Sequence, residues 1–165
     1  MLPTTANQNP SWIPALLRAV LPVVATSILG QLATYPNIES WYSTLEKPSF
    51  NPPNWVFAPV WTTLYILMAY AAWRLLSLPV KTPGRLATLT LFYVQLALNA
   101  LWSWMFFAMQ SPVAGLGNIV VQTGFILATI AQAWHVDKTA AFCLAPLAAW
   151  VAFASVLNFA IWFLN

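Results

Sequence analysis

The charged residues of this sequence are few, and they divide it into long uncharged stretches. The chain of 165 residues contains six Lys or Arg and three Asp or Glu, 5% of its composition, whereas soluble domains carry about 25%. The uncharged stretches cover residues 19–38, 48–73, 86–136 and 139–165. A helix needs about 20 mainly apolar residues to cross the hydrocarbon core of a bilayer. The spacing of the charges therefore predicts a protein that crosses the membrane several times.

The stretch 86–136 is too long for one crossing, and it contains a break at Gln110-Ser111-Pro112. There Ser can cap a helix and Pro can occupy its first position. All the stretches are continuously apolar and lack the alternation of lipid-exposed β-strands, which favours an all-α fold. We therefore predict a polytopic membrane protein with a single transmembrane domain, residues 1–165, in which five helices form a bundle at about 12–34, 54–79, 86–109, 112–134 and 140–164.

The composition excludes several functional classes. The single cysteine, Cys143, rules out an internal disulfide, and with the single histidine, His135, it leaves no cluster of metal ligands. A net charge of +3 is too small and too scattered for binding nucleic acid. The predicted bundle contains no Ser-His-Asp, Cys-His or carboxylate pair, so hydrolysis and acyl transfer have no residues to perform them. We expect neither a metal site nor a nucleic-acid partner.

The basic residues predict an orientation, because Lys and Arg near the ends of spans favour the cytoplasmic side. With an odd number of spans, the N-terminus and the connections at 80–85 and 135–139 share one side. That side receives five of the six basic residues: Arg18, Arg74, Lys81, Arg85 and Lys138. Lys47 falls on the other side. We therefore predict a cytoplasmic N-terminus and an external C-terminus.

Tryptophan is unusually frequent, with ten residues, and several are predicted to lie at similar depths. At a rise of about 1.5 Å per residue, four fall in the outer half of the membrane: Trp55, Trp61, Trp102 and Trp104. Trp150 falls near mid-depth. They lie beneath the long first loop, about residues 35–53, which is rich in proline and aromatic side chains. The aromatic belts of the two membrane interfaces suit the tryptophans near the predicted span ends but do not explain all of these five; those near the span ends are Trp12, Trp73, Trp134 and Trp162.

Three amides accompany these tryptophans inside the predicted spans. Asn99 shares a helix face with Trp102, Gln95 lies one turn before it, and Asn158 shares a face with Trp150. Such amides either face a cavity or form hydrogen bonds between helices. The first interpretation predicts an aromatic cavity for a flat, largely apolar ligand, in which indoles stack on the ligand and N–H groups bind an oxygen at its edge.

Several strings resemble those of a known family. They are WYSTLEKP at 41–48, PPNWVFAPVW at 52–61, the pattern of Leu98-Asn99, Trp102-Ser103 and Phe106-Phe107, and that of Ala140-Ala141, Pro146, Trp150, Phe153-Ala154 and Leu157-Asn158. They resemble the motifs of the translocator protein family, also called tryptophan-rich sensory proteins or peripheral benzodiazepine receptors. The match extends over essentially the whole chain.

The resemblance implies five transmembrane helices in the lipid bilayer, frequent homodimers and a ligand cavity closed by the first loop. Family members bind porphyrins such as protoporphyrin IX and haem, isoquinoline carboxamides and benzodiazepines, and in animals cholesterol; the porphyrin is a ligand, not a cofactor. By position, the resemblance implies that the pocket is lined by Trp55, Asn99, Trp102, Ser103, Trp150 and Ala154. Tyr42 and Pro53 would belong to its lid.

The sequence also departs from the family pattern. Leu147 follows Pro146 where the family commonly has Tyr, and Phe159 and Phe163 stand where the animal cholesterol pattern has Tyr and Arg. That pattern is weak evidence even when it is complete. The departures argue against high-affinity sterol binding and favour a member of bacterial type, in the cell membrane.

Three functions are compatible with these features. The leading one is a receptor or sensor that binds porphyrins and regulates tetrapyrrole traffic or the response to it. The second is transport of tetrapyrroles or other lipophilic molecules, with the loop 35–53 as the outer gate, although the spans lack the residues that couple transport to ions. The third is an enzyme that degrades bound porphyrin in light, in which Trp55 and Trp150 would be redox partners of the excited macrocycle.

Overall fold

The structure, a computed structural model, describes residues 12–165, and in this range it is all α-helical. The helices are α1 (Trp12–Ile38), α2 (Asn54–Ser77), α3 (Arg85–Ser103), α4 (Pro112–Val136) and α5 (Lys138–Leu164). A π-helical turn, Trp104–Ala108, continues α3, and a short 3-10 turn, Tyr42–Thr44, lies in the α1–α2 loop. Within the described residues, five helices are long and apolar enough to cross a membrane. The predicted fold class, a five-helix transmembrane bundle, is confirmed.

Helix α1 is longer than the expected span, which stopped at residue 34, and the first loop begins correspondingly later than residue 35. The helix continues through Pro36 to Ile38. The side chains of Asn37 and Ser40 each donate a hydrogen bond of 2.8 Å to a backbone carbonyl of the last turn, those of Ala33 and Pro36. The carbonyl of Pro36 is one of the four that the end of a helix leaves without an intrahelical partner, and Ser40 supplies its hydrogen bond.

The five helices form a closed ring. Helix α2 packs between α1 and α5, α3 packs between α1 and α4, and α4 packs against α5, so the order around the ring is α1, α2, α5, α4, α3. We call the end of the bundle with the α1–α2 loop the loop end, and the end with the α2–α3 and α4–α5 connections the opposite end. Side chains fill the interior of the ring at the opposite end, and they surround a cavity nearer the loop end.

The opposite end is closely packed. Small residues from three helices are fully buried there, including Ala19, Ala71 and Ala140, and they allow the helix backbones to approach each other. Phe92 and Met68, both buried completely, fill the remaining volume. The interior is therefore solid at this end, and any cavity has to lie nearer the loop end.

An ion pair closes the opposite end. Arg74 on α2 binds Asp137 through Nη2 at 2.9 Å and through Nε at 3.0 and 3.1 Å. The Asp137 carboxylate also accepts the backbone N–H of Ala140 at 2.9 Å and so caps α5. Burial raises the pKa of Asp137, but the hydrogen bonds from Arg74 and from the backbone outweigh burial and lower this pKa below its usual value. Asp137 thereby joins α2 to the start of α5.

Candidate ligand cavity

A cavity of about 470 Å³ occupies the loop-end half of the bundle. All five helices contribute to its lining, and Tyr42 of the α1–α2 loop closes it at the loop end. Its volume is within the range of about 300–1,000 Å³ that is typical of sites for small molecules. None of the lining residues within 12–165 carries a charge. The cavity therefore suits a ligand that is mainly apolar and of considerable size.

Aromatic side chains form most of its wall. Trp102 stacks on Phe106 with ring centroids 5.0 Å apart, Trp61 lies 5.4 Å from Tyr65, and the edge of one ring meets the face of the other between Phe57 and Trp150 at 5.8 Å. These six residues come from α2, from α3 with its π-helical turn, and from α5. Their faces and edges offer stacking positions on several sides of a planar ligand.

The π-helical turn explains how α3 places so many rings together. A π-helical turn inserts an extra residue into the hydrogen-bonding pattern and so shifts the face of the helix that follows. The cavity is lined by Trp102, which precedes the turn, and by Phe106 and Phe107, which lie within it. Phe106 and Phe107 are both buried. Adjacent residues of a regular helix would point about 100° apart, which would make two consecutive buried rings harder to place.

The amides predicted inside the spans have two different surroundings. Asn158, 2% exposed, accepts the indole N–H of Trp102 at 3.0 Å and donates to the carbonyl of Pro112 at 2.8 Å. Asn99 accepts the hydroxyl of Tyr65 at 3.0 Å, and its amide nitrogen donates no hydrogen bond to any side chain or backbone group of residues 12–165. Asn158 therefore joins helices, whereas Asn99 retains a free donor at the lining.

Contacts within the α1–α2 loop fix its conformation around Tyr42. The hydroxyl of Tyr42 donates to Asn51 at 3.1 Å, and the ammonium of Lys47 lies 4.7 Å from the centre of the Tyr42 ring, a distance typical of a cation–π contact. Burial raises the pKa of Tyr42, and the hydrogen bond with Asn51 offsets part of this increase. The phenol is therefore protonated at neutral pH and serves as the donor.

The same loop is attached to the end of α5. The backbone N–H of Glu46 donates to the side-chain oxygen of Asn165 at 3.0 Å, and the side-chain nitrogen of Asn165 donates to the carbonyl of Glu46 at 3.1 Å. This pair of hydrogen bonds uses no side-chain atom of Glu46. It links the loop to a helix that also lines the cavity.

The cavity opens between α1 and α2. The exposed members of the lining are Gln31, Tyr35, Asn54, Ala58 and Thr62, and all belong to these two helices. Lining residues of α3, α4 and α5 are buried or half-buried. In a membrane-spanning bundle, this opening faces the side of the bundle and therefore the lipid.

Most of the residues that the sequence predicted for the site lie together. The cavity lining includes Tyr42, Asn99, Trp102, Ser103, Trp150 and Ala154. Pro53 and Trp55 do not contribute to it, and the side chain of Trp55 is 74% exposed. The reason is helical periodicity: Asn54, Phe57 and Trp61 share the inward face of α2, and Trp55 is rotated by about 100° from Asn54.

Other lining residues were not assigned to the site from the sequence. Tyr65 continues the inward face of α2, so the spacing Asn54, Phe57, Trp61, Tyr65 was a usable signal for it. Gln122 of α4 is 2% exposed and also contributes to the lining. No motif marks this residue; it is a polar side chain in an apolar span. Among the described residues, no three His, Cys, Asp or Glu side chains come together as metal ligands would.

Five apolar helices define a multi-pass integral membrane protein, and they surround an aromatic cavity whose described lining is uncharged. The model of the TspO/MBR family matches residues 19–163 of this chain. The chain belongs to that family, and the resemblance predicted from its motifs is confirmed.

Individual relatives agree with this assignment. The tryptophan-rich protein TspO of Chlorobaculum tepidum is 47% identical over 143 residues, which are 86% of this chain and 90% of the relative. The tryptophan-rich protein TspO of Archaeoglobus fulgidus is 40% identical over 153 residues, 91% and 96% of the two chains. The translocator protein of Bos taurus is 37% identical over 155 residues, 93% and 90% of the two chains.

Proposed function

We propose that this protein is a membrane receptor that binds porphyrins, such as protoporphyrin IX and haem, and other planar lipophilic ligands. Through this binding it regulates the traffic of tetrapyrroles or the response to them. The observation that carries the proposal is the wall of aromatic rings beneath the closed loop, with Trp61, Trp102 and Trp150 on different helices. Planar conjugated systems stack favourably on such rings.

The distribution of charge indicates how a porphyrin would be oriented. The macrocycle is apolar, but its propionates are charged, and a buried carboxylate without a partner is strongly disfavoured. The described lining carries no charge, whereas Lys47 lies beside Tyr42 at the loop end. The propionates therefore point toward the loop, and the apolar edge of the macrocycle points toward the interior of the bundle.

Transport is the second candidate, and the opening between α1 and α2 favours it. A ligand that leaves or enters sideways would pass between the exposed residues Tyr35 and Thr62. In this case the α1–α2 loop would be a gate, and the cavity would be an intermediate binding site on the transport path. We rank transport below the receptor function because the stacking positions Trp61, Trp102 and Trp150 all line one cavity, which Tyr42 closes at the loop end.

The test is the quenching of tryptophan fluorescence by protoporphyrin IX, titrated into the purified protein in detergent and in the dark. We expect saturable quenching, with Trp150→Ala weakening the affinity by about tenfold because a large stacking surface is lost. Asn99→Ala should weaken it less, by the few-fold that one hydrogen bond contributes.

The matched control is Trp162→Ala. Trp162 is on the same helix as Trp150, is 43% exposed and does not line the cavity, so this variant removes one fluorophore without changing the site. Its affinity should equal that of the wild type. Quenching that never saturates, or that is equally strong in Trp150→Ala and Trp162→Ala, would mean that the porphyrin partitions into the micelle, and the proposal would be withdrawn.

A further inference from the structure

The basic side chains at the opposite end of the bundle outnumber the acidic side chains there. Five of the six Lys and Arg residues lie at this end, together with a single acid, Asp137. Asp137 is already engaged, because it binds Arg74 and caps α5. Glu39 and Glu46 follow α1 and lie at the loop end. The opposite end therefore carries an excess of positive charge that the side chains of residues 12–165 do not neutralise.

Arg18 on α1 is the deepest of these cations. It is exposed, and within residues 12–165 its guanidinium forms no hydrogen bond and no ion pair. Helix α1 has 27 residues, so its length of about 40 Å exceeds the hydrocarbon core of a bilayer by about 10 Å. With this excess shared between its two ends, the backbone of Arg18 lies about 4 Å inside the hydrocarbon boundary. Helical side chains lean toward the N-terminus, which for α1 is the opposite end, so the guanidinium reaches the level of the lipid head groups.

The backbone of Arg18 is fixed against α3. Pro22 has no N–H group, so the carbonyl of Arg18, four residues earlier, loses its partner within α1. The hydroxyl of Tyr93 on α3 donates to this carbonyl at 3.0 Å. The bond places Arg18 at the edge where α1 meets α3, and it leaves the guanidinium free.

Arg85, the first residue of α3, brings a second guanidinium to the same edge. Its Nε and Nη2 donate to the carbonyls of Leu75 and Leu76, in the last turn of α2, at 2.9 and 3.1 Å. These bonds hold the group in place, and Nη1 has no hydrogen-bond partner among the described residues. The charges of Arg18 and Arg85 both act on the hydroxyl of Tyr93. Two cations therefore lie around one point at the edge between α1 and α3.

The phosphate of an anionic phospholipid fits this edge. A guanidinium binds phosphate through parallel N–H groups, and lipid phosphates lie at the level that the side chain of Arg18 reaches. Basic pockets between transmembrane helices are typical sites for anionic head groups. A lipid with net negative charge offsets the excess positive charge here, whereas a zwitterionic lipid brings a further cation. A cation beside acyl chains without an anion would be costly.

We infer that Arg18 and Arg85 bind the phosphate of one anionic phospholipid, such as phosphatidylglycerol, at the edge between α1 and α3. Neither residue lines the cavity, so the inference goes beyond the proposed function and does not depend on it. The bound lipid adds to the bond between Tyr93 and Arg18 and stabilises α1 against α3.

Native mass spectrometry of the full chain, released from a neutral detergent, tests the inference. It gives the dissociation constant of the first bound phosphatidylglycerol and of phosphatidylcholine with the same acyl chains. We expect the wild type to prefer phosphatidylglycerol. Arg18→Gln should weaken this binding by about fivefold, which corresponds to about 1 kcal/mol for one basic residue near anionic lipid. Its binding of phosphatidylcholine should stay within about twofold of the wild type.

Lys81→Gln is the matched control. Lys81 is exposed and lies at the same end, in the α2–α3 connection, so this variant removes the same charge away from the edge. Its affinity for phosphatidylglycerol should stay within about twofold of the wild type. Arg18→Lys keeps the charge and should bind the lipid more tightly than Arg18→Gln. Without lipid, Arg18→Gln should unfold at the temperature of the wild type, because the guanidinium has no partner within residues 12–165.

Each outcome supports or overturns the lipid site. If Lys81→Gln weakens binding as much as Arg18→Gln, the lipid responds to overall charge, and the site is disproved. The same follows if the wild type binds both lipids equally, or if Arg18→Gln binds phosphatidylglycerol like the wild type. Displacement of the lipid by inorganic phosphate at similar concentration would identify a free anion as the ligand and overturn the inference. None of these results changes the quenching by protoporphyrin IX, so the proposed function is tested separately.

Discussion

The indole N–H of Trp102 on α3 donates a hydrogen bond of 3.0 Å to the side-chain oxygen of Asn158 on α5. The amide nitrogen of the same Asn158 donates to the carbonyl of Pro112, the first residue of α4, at 2.8 Å. One buried amide therefore joins three helices at the wall of the cavity. It also fixes the plane of the indole that stacks on Phe106.

Replacing Asn158 by Leu should destabilise the protein. The substitution leaves the N–H of Trp102 without a partner and removes the side-chain hydrogen bond to the carbonyl of Pro112, and we expect the free energy of unfolding to fall by about 1–3 kcal/mol. Thermal unfolding in detergent measures this loss. In a double-mutant cycle with Trp102→Phe, which has no N–H group, the combined loss should be smaller than the sum of the single losses. Strict additivity would contradict the coupling.

Gly115 of α4 should not tolerate a side chain. A Cβ atom at this position would lie 3.0 Å from the side-chain oxygen of Asn158 and 3.0 Å from a ring carbon of Phe106, so Gly115→Ala forces two buried groups to move. We expect a loss of about 1–3 kcal/mol in the free energy of unfolding. Gly117→Ala is the control on the same helix, because a Cβ there meets nothing within 4 Å. That variant should be neutral or slightly stabilised, since Ala favours helix more than Gly, and equal effects at the two positions would refute the prediction.

Trp150 and Trp55 should respond differently to replacement by Phe. Trp150 lines the cavity, and Phe keeps a ring for stacking, so we expect affinity for protoporphyrin IX in the dark to fall by no more than about threefold. Trp55→Phe should leave the affinity unchanged, because Trp55 is 74% exposed and outside the lining. Titration of fluorescence in the dark tests both statements.

Illumination of the same two variants separates a receptor from a porphyrin-degrading enzyme. For a receptor, the porphyrin absorption band fades at the same rate in the wild type and in Trp150→Phe. If fading is fast in the wild type and collapses in Trp150→Phe, the indole takes part in the reaction and the enzymatic alternative gains support. Loss of fading in Trp55→Phe alone would contradict the placement of the reaction in this cavity.

The ion pair between Arg74 and Asp137 should make stability depend on pH in the acid range. The pKa of Asp137 is lowered in the folded protein, so its stabilising contribution is complete above the unfolded value of about 3.9 and is lost as the pH falls through the lower folded-state pKa. Asp137→Asn should therefore be less stable than the wild type at pH 7, and the difference should shrink below about pH 4. Thermal unfolding of both proteins from pH 7 downward measures it. A difference that stays constant over this range would show that the carboxylate charge is not the cause.

The contact of Asn165 with the α1–α2 loop should control the exchange of that loop. Asn165→Ala removes both hydrogen bonds to the backbone of Glu46, so amide hydrogens of the loop should exchange faster with deuterium, by up to about tenfold for a loss of about 1.4 kcal/mol. Glu46→Ala is the matched control, because the contact uses the backbone of Glu46 and not its side chain. The control should exchange like the wild type, and faster exchange in the control but not in Asn165→Ala would exclude this role.

The number and type of helices could be predicted because they depend on one simple quantity, the spacing of charges along the chain. The stretch between Arg85 and Asp137 is long enough for two crossings, and the Ser111-Pro112 pair is a local signal for the start of a helix. The order of the helices around the ring was not predictable in this way. It depends on which faces meet, as between Arg74 and Asp137 or between Asn118 and Leu98, and helices that are apolar on all sides carry little information about their faces.

The lining of the cavity was predictable at residues where a family motif coincides with the inward face of a helix, as for Trp102 and Trp150. It was not predictable where the motif residue lies on another face. Trp55 belongs to the motif but not to the inward face of α2, whereas Tyr65 belongs to that face. The π-helical turn after Ser103 shifts the faces of Phe106 and Phe107, and regular helical spacing cannot anticipate such a shift. Depth along a helix is easier to infer from a sequence than rotation about its axis.

Because the cavity opens between α1 and α2, the ligand concentration that matters for binding is the one in the membrane and not the one in water. Lipophilic molecules accumulate in hydrocarbon because water excludes their apolar surface, so a site that opens toward lipid is filled from the molecules dissolved there. Its occupancy then follows the mole fraction of ligand in the membrane, and a modest intrinsic affinity suffices for saturation at a low aqueous level. Dissociation constants expressed per volume of water should rise as lipid or detergent is added, whereas those expressed per mole of lipid should stay constant. For the proposed ligands, the membrane would be the reservoir that sets the occupancy of the cavity.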